Sequence, residues 1–353
     1  MPAAMDEFDA RLLNLLQDQI PLVDQPFAAI AGDLQTTEEH VLARASALKA
    51  GPPPIIRQIS AIFDTRSLGY QSTLVAARID ESHLDQAAQC INAHPGVTHN
   101  YLRNHAYNLW YTLAIPPDSR LGLDRTLQIL HHESGSLATR MFPTLKLYKI
   151  GVSFDLAGEV DPAARSEHSG FTETDRAKAM SVPLTDADKP MIRVLQQDLP
   201  ITSRPFDAWS VEAAVTVQQL LAAAQAYLDQ KRMRRFSAVL HHRHAGFGAN
   251  AMGVWAVPCD KQDQFGAAAA SFSAVSHCYL RPTYEDWPYS IFTMVHAPRP
   301  EECSAVLAAI SDATGIRDYA ALYSSREFKK TRLRYFIGDI EAWESARMQP
   351  GDL

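Results

Sequence analysis

Two segments of the sequence repeat a histidine, a tyrosine and an arginine at alternate positions. The first row is His99, Tyr101 and Arg103, and the second row is His277, Tyr279 and Arg281. Because residues two apart on a β-strand project from the same face, each row would place an imidazole, a phenol and a guanidinium side by side. Imidazoles and phenols transfer protons, and guanidiniums bind carboxylates. A single such row is more often a solvent-facing strand surface, but its presence in two segments makes a ligand site an equally good interpretation.

The two rows belong to an internal repeat that spans most of the chain. Three segments each match a later segment at a nearly constant offset along the sequence. The matches are residues 9–21 with 188–200, 59–70 with 236–247, and 99–103 with 277–281. A constant offset over separate segments predicts two copies of one structural unit.

Each copy is predicted to begin with three short helices. Apolar residues at helical spacing begin at Phe8, and Pro26 starts a second helix. Thr36 and Glu39 have the spacing of a capping box for a third helix. Three such helices resemble a helix-turn-helix unit. After Pro53 the order of elements becomes β-β-α-β-β-α-β, which predicts a ferredoxin-like sandwich with an extra strand.

The predicted fold class is therefore α+β, with two tandem copies of a helix-turn-helix unit followed by a ferredoxin-like α/β sandwich. The segment between the copies is polar and interrupted by proline, so it is predicted to be a linker. The predicted domains are 1–52 (first helix-turn-helix-like unit), 53–155 (first ferredoxin-like domain), 156–183 (linker), 184–230 (second helix-turn-helix-like unit) and 231–340 (second ferredoxin-like domain).

The composition is that of an ordinary globular protein and excludes several classes. The 353 residues are 46% hydrophobic and 21% charged, with a net charge of −7, which is poorly suited to binding a nucleic-acid backbone. The sequence shows no leader peptide, no long apolar run and no C-x-x-C pair. We therefore expect a cytoplasmic protein without membrane contact, disulfide framework or structural zinc. The motifs of nucleotide-binding proteins, zinc proteases and serine hydrolases are also missing.

Basic residues are concentrated in the second half of the chain. The runs 231–235 and 329–334 would suit a compact polyanion, which makes Arg235 and Arg332 candidate binding residues. The alternative is that both runs are solvated strand ends.

Aromatic and histidine side chains near the first row and its counterpart suggest a flat ligand. His105 lies in the hairpin turn that follows the first row, and Trp287 lies in the longer loop that replaces this turn in the second copy. Trp287 in a loop is a candidate for stacking on a ligand, whereas Trp110 on a strand is expected in a core.

The first inter-strand turn differs most between the copies. Residues 64–67 read DTRS, and residues 241–244 read HHRH. Adjacent histidines on a strand point to opposite faces, so they are not expected to chelate one ion together. His241 is a candidate axial ligand to an iron that a macrocycle already holds, and Arg243 is a candidate carboxylate ligand.

The sequence resembles the siroheme decarboxylases, within the Lrp/AsnC superfamily. The segments that carry the resemblance are SAIFDTRSLGYQSTLVA, GVTHNYLRNHAYNLWYTL, LHHRHAGFGANAMGVW and VSHCYLRPTYEDWPYSIFTM. The resemblance implies two homologous subunits fused in one chain. It also implies removal of the acetate carboxyl groups at C12 and C18 of siroheme, giving 12,18-didecarboxysiroheme for heme d1 or an alternative heme pathway. No cofactor beyond the iron tetrapyrrole substrate is expected.

The resemblance and the residues together suggest roles for the two rows. His99, His277, Tyr101 and Tyr279 are candidate proton donors. The arginines, among them Arg103 and Arg281, are expected to hold carboxylates that remain on the macrocycle, because binding the departing one would raise the barrier. We expect one principal site on the second copy's sheet that borrows residues from the first.

Partners other than siroheme and its product are left open. They include a homodimer of the fused chain and other heme d1 biosynthesis enzymes. A DNA-binding regulator of the Lrp/AsnC type is the alternative function, but the third helix begins with Glu38 and Glu39, and residues 211–230 contain no lysine or arginine. No nucleic acid is therefore expected. A non-catalytic tetrapyrrole carrier is a further alternative, since binding and catalysis would use the same pocket.

Overall fold

The computed structural model describes residues 6–150, 163–165, 171–241 and 249–348, and Arg243 lies outside these ranges. The α-helices are α1 (Glu7–Asp18), α2 (Pro26–Asp33), α3 (Glu38–Ala50), α4 (Leu84–Asn92), α5 (Gly122–Glu133), α6 (Glu173–Met180), α7 (Asp188–Leu195), α8 (Phe206–Glu212), α9 (Val217–Asp229), α10 (Gln262–Ala270), α11 (Pro300–Thr314) and α12 (Asp339–Ser345). The strands are β1 (Ile56–Phe63), β2 (Gln71–Arg78), β3 (Val97–Arg103), β4 (Leu109–Ile115), β5 (Ala138–Pro143), β6 (Lys146–Ile150), β7 (Met233–Leu240), β8 (Ala249–Trp255), β9 (Val275–Leu280), β10 (Ile291–Ala297) and β11 (Tyr319–Lys330). No helix among the described residues is long and apolar enough to cross a bilayer.

The predicted α+β fold class is confirmed, and the chain forms two compact units. The first unit comprises Met1–Gly69, Asp175–Ala245 and Arg334–Ile337. The second comprises Tyr70–Thr174, Gly246–Leu333 and Gly338–Leu353. Each unit therefore takes segments from both copies of the repeat.

In the first unit, β1 and β7 pair with each other in a two-stranded antiparallel sheet. The segments that follow α1 and α7 extend this pairing, because Ile20 N–H donates to Phe236 O at 2.8 Å and Leu199 N–H donates to Ile59 O at 2.7 Å. Each helical set thus bonds to the opening strand of the other copy. The sequence pattern assigned these strands to the ferredoxin-like sandwiches, since alternation shows that a strand exists but not which strand it pairs with.

The two sets of helices contact each other at α3, which is the recognition helix that a DNA-binding protein of this kind would expose. Gln25 donates to Ser203 at 3.1 Å, and Ser203 donates to Glu38 at the start of α3, also at 3.1 Å. Lys49 at the end of α3 forms a 2.8 Å salt bridge with Asp198. These contacts use α3 for packing between the copies.

Part of the segment expected to be a linker is a helix. Strand β1 ends next to Asp64, whose carboxylate forms a 3.0 Å salt bridge with Arg176 of α6. Both side chains are buried, so their charges must compensate each other. Because an ionic contact holds this helix, the segment shows no apolar periodicity.

The second unit is built on one antiparallel sheet. Among the described residues it has nine strands, in the order β5-β2-β4-β3-β11-β8-β10-β9-β6. The two end strands β5 and β6 are separated by only Thr144 and Leu145. A flat sheet of this size would be roughly 40 Å wide, whereas the short link reaches only about 10 Å. The sheet must therefore curl until its two ends meet.

The curled sheet has helices on its outer face and aromatic side chains inside. Helices α4 and α5 cover the strands of the first copy, and α10 and α11 cover those of the second. Helix α12, which the sequence analysis did not predict, adds Trp343 to the first of these cores. The inside holds an interior cluster to which both copies contribute. Its buried members are Ala76, Tyr107, Trp110, Phe142, Met252, Val254, Trp287, Phe292 and Leu322.

His94 makes the stability of the second unit sensitive to acid. Burial, aided by Lys329 and Arg347, lowers the pKa of His94 from 6.5 to about 3. The unfolded chain binds a proton near pH 6.5 and the folded chain does not, so protonation favours unfolding as the pH falls below about 6.5. We expect this side chain to lower the free energy of unfolding by about 1.4 kcal/mol per pH unit between about pH 6 and pH 4.

His94→Phe tests this expectation, because phenylalanine is the residue at the matching position 272 of the second copy. Urea unfolding at neutral and mildly acidic pH should show a smaller pH dependence in the variant than in the wild type. Equal pH dependence in the two proteins would contradict the assignment.

Candidate functional site

Both rows lie on the inner face of the curled sheet. In the first row, Tyr101 lies opposite Trp110 across the β3–β4 pair, and in the second row, Tyr279 lies opposite Phe292 across the β9–β10 pair. Directly opposite residues project from the same face, and both partners belong to the interior cluster. The structure therefore places both tyrosines toward the inside of the sheet.

Each row keeps its three side chains together, as the alternation predicts. In the first row the imidazole of His99 is 6.2 Å from the ring of Tyr101, and the guanidinium of Arg103 is 5.7 Å from that ring. The corresponding distances around Tyr279 are 5.9 Å and 4.8 Å. The imidazoles and phenols are half-buried, so a ligand on the inner face can reach them.

The two imidazoles are oriented by the hydroxyl group of the preceding residue. His277 Nδ1 lies 2.8 Å from Ser276 Oγ, and His99 Nδ1 lies 3.0 Å from Thr98 Oγ1. Ser276 donates its own proton to the carbonyl of Met294, so its oxygen accepts from Nδ1. This arrangement assigns the Nδ1 proton of His277 and makes Nε2 the basic nitrogen of the neutral ring.

The two arginines connect the copies through buried side chains. Arg103 is 5% exposed and donates to the backbone carbonyl of Leu322 on β11 at 2.8 Å. Arg281 is 8% exposed and donates to the carbonyl of Phe142 on β5. Burial lowers the pKa of Arg103 to about 10, so it remains charged at neutral pH. The expected substrate-binding role of these arginines stays a prediction, and the structure adds that both side chains are buried and bonded to the other copy.

Arg281→Met is expected to lower the free energy of unfolding by about 1.5–3 kcal/mol, because a charged donor to a buried carbonyl is lost. The KM for substrate should change by less than about threefold, since the guanidinium is buried and bonded to the carbonyl of Phe142. Chemical unfolding and steady-state kinetics measure the two effects. A large rise in KM without loss of stability would support the anchoring role.

Trp287 belongs to the core, which corrects its assignment as a stacking residue. Its side chain is 0% exposed, and its ring centroid lies 5.2 Å from Trp110 and 5.3 Å from Phe142. A loop position suggested exposure, but the loop folds over the interior cluster. Trp110 is buried in the same cluster, as the sequence predicts.

The hairpin after the first row is held by a network that the sequence analysis missed. Tyr107 donates to Asp286 at 2.7 Å, and Arg140 binds the same carboxylate through two nitrogens, at 3.1 Å and 3.0 Å. His105 accepts from Tyr107 N–H at 3.0 Å, and burial lowers its pKa. His105 is therefore neutral in the folded protein at physiological pH.

A groove of about 580 Å³ opens beside this hairpin. Arg103 and His105 line it together with Glu81 and Asp85. Arg326 also lines the groove and forms a 2.6 Å salt bridge with Asp85, so the two carboxylates are matched by two guanidiniums.

The remaining predicted residues lie on or just after strands β7 and β11. Arg235 is exposed on β7, and His241, just after β7, is half-buried with its N–H bonded to Ile55 O at 2.9 Å. Both belong to the first unit. Arg332 is half-buried just beyond the end of β11. In the ranges that the structure covers, no three His, Cys, Asp or Glu side chains are grouped to hold a metal ion.

Comparison with known proteins gives relatives of the full length of the chain. The model of a siroheme decarboxylase NirDL-like HTH domain matches residues 9–51 and 188–234, and that of an AsnC-like ligand binding domain matches 67–149 and 244–329. The chain is 36% identical to the siroheme decarboxylase of Hydrogenobacter thermophilus, over 96% of this chain and 97% of that protein.

Two further relatives bear on the repeat and on the ligand. The siroheme decarboxylase beta subunit of Methanosarcina barkeri is 44% identical over 42% of this chain and 97% of its own length. The crystal structure of the siroheme decarboxylase NirDL in complex with an iron-uroporphyrin III analogue matches with a TM-score of 0.75 and 31% identity, covering 96% of this chain and 98% of that one.

Proposed function

The chain belongs to the siroheme decarboxylase family, and from this membership we propose that it removes the C12 and C18 acetate carboxyl groups of siroheme to give 12,18-didecarboxysiroheme in heme d1 biosynthesis. The observation that carries the proposal is the match to a siroheme decarboxylase over nearly the whole of both chains. The fold adds support, since two proton-donating rows lie on one inner sheet face lined by aromatic side chains.

The proposed reaction needs a proton donor and an electron sink. In each step the bond between the acetate CH₂ and its carboxyl carbon breaks, and the electron pair enters the protonated macrocycle. A proton then reaches the exocyclic carbon, so that the acetate becomes a methyl group and one carbon dioxide leaves. Because the macrocycle accepts the electrons, we propose that no cofactor besides the iron tetrapyrrole is required.

We propose that His277 donates the proton and that Tyr279 assists His277. The bond between His277 Nδ1 and Ser276 fixes the ring, and the tyrosine 5.9 Å away shares its face. A positioned general acid of this kind contributes about 10²- to 10⁴-fold to a rate. His99 and Tyr101 are the corresponding groups of the first row.

We propose that Arg332 binds a carboxylate that remains on the macrocycle. Arg235, His241 and Arg243 stay candidates from the sequence alone. Guanidiniums suit this role because they bind carboxylates through two parallel hydrogen bonds.

Anaerobic incubation of the purified chain with siroheme tests the proposed function. Mass spectrometry should show the loss of two carbon dioxide molecules per tetrapyrrole without added cofactor. A tetrapyrrole that binds and is recovered unchanged would indicate a carrier. Failure to bind any tetrapyrrole, together with binding to a DNA fragment, would indicate a regulator.

A further inference from the structure

The first row faces two ionisable side chains on strand β11. His99 lies opposite Lys330, and Tyr101 lies opposite Glu327. Residues three apart on a regular strand would face opposite sides, but a register shift between Glu327 and Lys329 brings both onto the inner face. An ammonium therefore lies beside the imidazole of the first row, and a carboxylate lies beside its phenol.

The second row faces apolar side chains at the matching positions of strand β6. His277 lies opposite Ile150, and Tyr279 lies opposite Leu147. The same register shift occurs in this pair, between Leu147 and Lys149. The two rows thus have the same register with the neighbouring strand. The side chains opposite the first row are ionisable, and those opposite the second row are apolar.

The outer faces of β6 and β11 are alike, so the difference is confined to the inside. Lys329 and Lys149 occupy matching positions. Each donates a hydrogen bond to a backbone carbonyl near the end of the helix that precedes the paired strand β3 or β9, at 2.7 Å and 2.8 Å. Arg326 and Lys146 also match, and each forms a 2.6 Å salt bridge with an aspartate in the first turn of the covering helix. The outward-facing side chains of β6 and β11 are therefore similar, whereas two inward-facing positions are apolar in β6 and ionisable in β11.

Decarboxylation and carboxylate binding have opposite requirements. A carboxylate loses carbon dioxide more readily in apolar surroundings, since its charge is stabilised less before the reaction than in water. A cation that binds the reacting carboxylate stabilises the ground state and raises the barrier. An ammonium is, however, well suited to hold a carboxylate that stays on the substrate.

On the premise of the proposed function, we propose that the second row, beside Ile150 and Leu147, carries the decarboxylation step, and that Lys330 beside the first row anchors a substrate carboxylate that is retained. Carbon dioxide leaves, and His277 donates its proton, on the side of the site that Ile150 and Leu147 line. Glu327 repels carboxylates near the phenol of the first row and so restricts the anchor to the Lys330 end.

Substitutions that exchange the ammonium and the apolar side chain test the proposed division of roles between the two rows. Lys330→Met should raise the KM for siroheme and the Kd for iron uroporphyrin III by about tenfold, with kcat within about threefold of the wild type. Ile150→Lys should lower kcat by about thirtyfold without weakening the binding of iron uroporphyrin III. Absorbance titration gives the Kd, and product mass spectrometry under anaerobic conditions gives kcat.

Matched variants separate charge from damage to the fold. Lys330→Arg keeps the cation and should recover most of the binding that Lys330→Met loses. Ile150→Met keeps an apolar side chain and should recover most of the kcat that Ile150→Lys loses, and both variants should melt at the wild-type temperature. The inference alone is overturned if the wild type decarboxylates siroheme but Lys330→Met loses kcat while Ile150→Lys does not. A wild type that leaves siroheme unchanged overturns the proposed function, and this inference with it.

Discussion

His277→Ala is expected to lower kcat for siroheme decarboxylation by about 10²- to 10⁴-fold, with the Kd for iron uroporphyrin III within about threefold of the wild type. The reason is that, in the proposed mechanism, the imidazole held by Ser276 at 2.8 Å supplies the proton in the chemical step and little of the binding. Single-turnover experiments with anaerobic siroheme, followed by mass spectrometry of the mono- and didecarboxylated products, measure the loss.

His99→Ala is the matched control, because His99 occupies the same place in the first row and has the same type of hydroxyl partner. It should affect binding more than turnover if the rows do different work. Normal turnover by His277→Ala would remove its assignment as the proton donor. Equal losses of kcat in the two variants would indicate two equivalent sites.

Trp287→Ala is expected to destabilise the second unit by about 3–5 kcal/mol, the usual cost of removing a large aromatic side chain from a packed core. The indole is fully buried, and its ring centroid lies 6.0 Å from Phe292 as well as close to Trp110 and Phe142. Thermal and urea unfolding monitored by near-ultraviolet circular dichroism measure the change.

Trp287→Phe separates packing from ligand contact. It retains an aromatic ring and should recover most of the lost stability, leaving a deficit of about 1–2 kcal/mol. The absorption spectrum of bound iron uroporphyrin III should be unchanged. A changed spectrum with unchanged stability would show that Trp287 contacts the tetrapyrrole after all.

Local patterns in the sequence predict the individual elements well. Alternating residues predict strands at Val97–Arg103 and Ile56–Phe63, and the strands of the structure have these limits. The cap of α3 is displaced by one residue, since Thr37 and not Thr36 accepts the hydrogen bond from the N–H of the first turn. Adjacent threonines offer the same hydroxyl, so spacing alone does not distinguish them.

Pairing between the copies is the part of the fold that the sequence does not reveal. Strand β5 was missed because its residues are mostly half-buried and do not alternate. The predicted sandwiches were each drawn from one copy, whereas β3 pairs with β11 and β6 pairs with β9. Such partners are separated by more than a hundred residues, and periodicity carries no information about them.

For the candidate site, alternation predicts which side chains share a face but not what encloses them. The first and second rows are assembled as expected, yet Arg103 and Arg281 are enclosed by strands from the opposite copy. The neighbours Lys330 and Leu147 were not recognised because register shifts, which the sequence does not show, decide their face.

The exchange of strand pairing between halves has an evolutionary consequence. In an assembly of two identical subunits, any substitution next to one row is copied next to the other, so the rows cannot diverge. Here one half always meets the other half of its own chain, in a fixed one-to-one ratio, and a mutation at position 147 or 327 alters a single row. Having both copies in one chain thereby allows each half to change independently of the other.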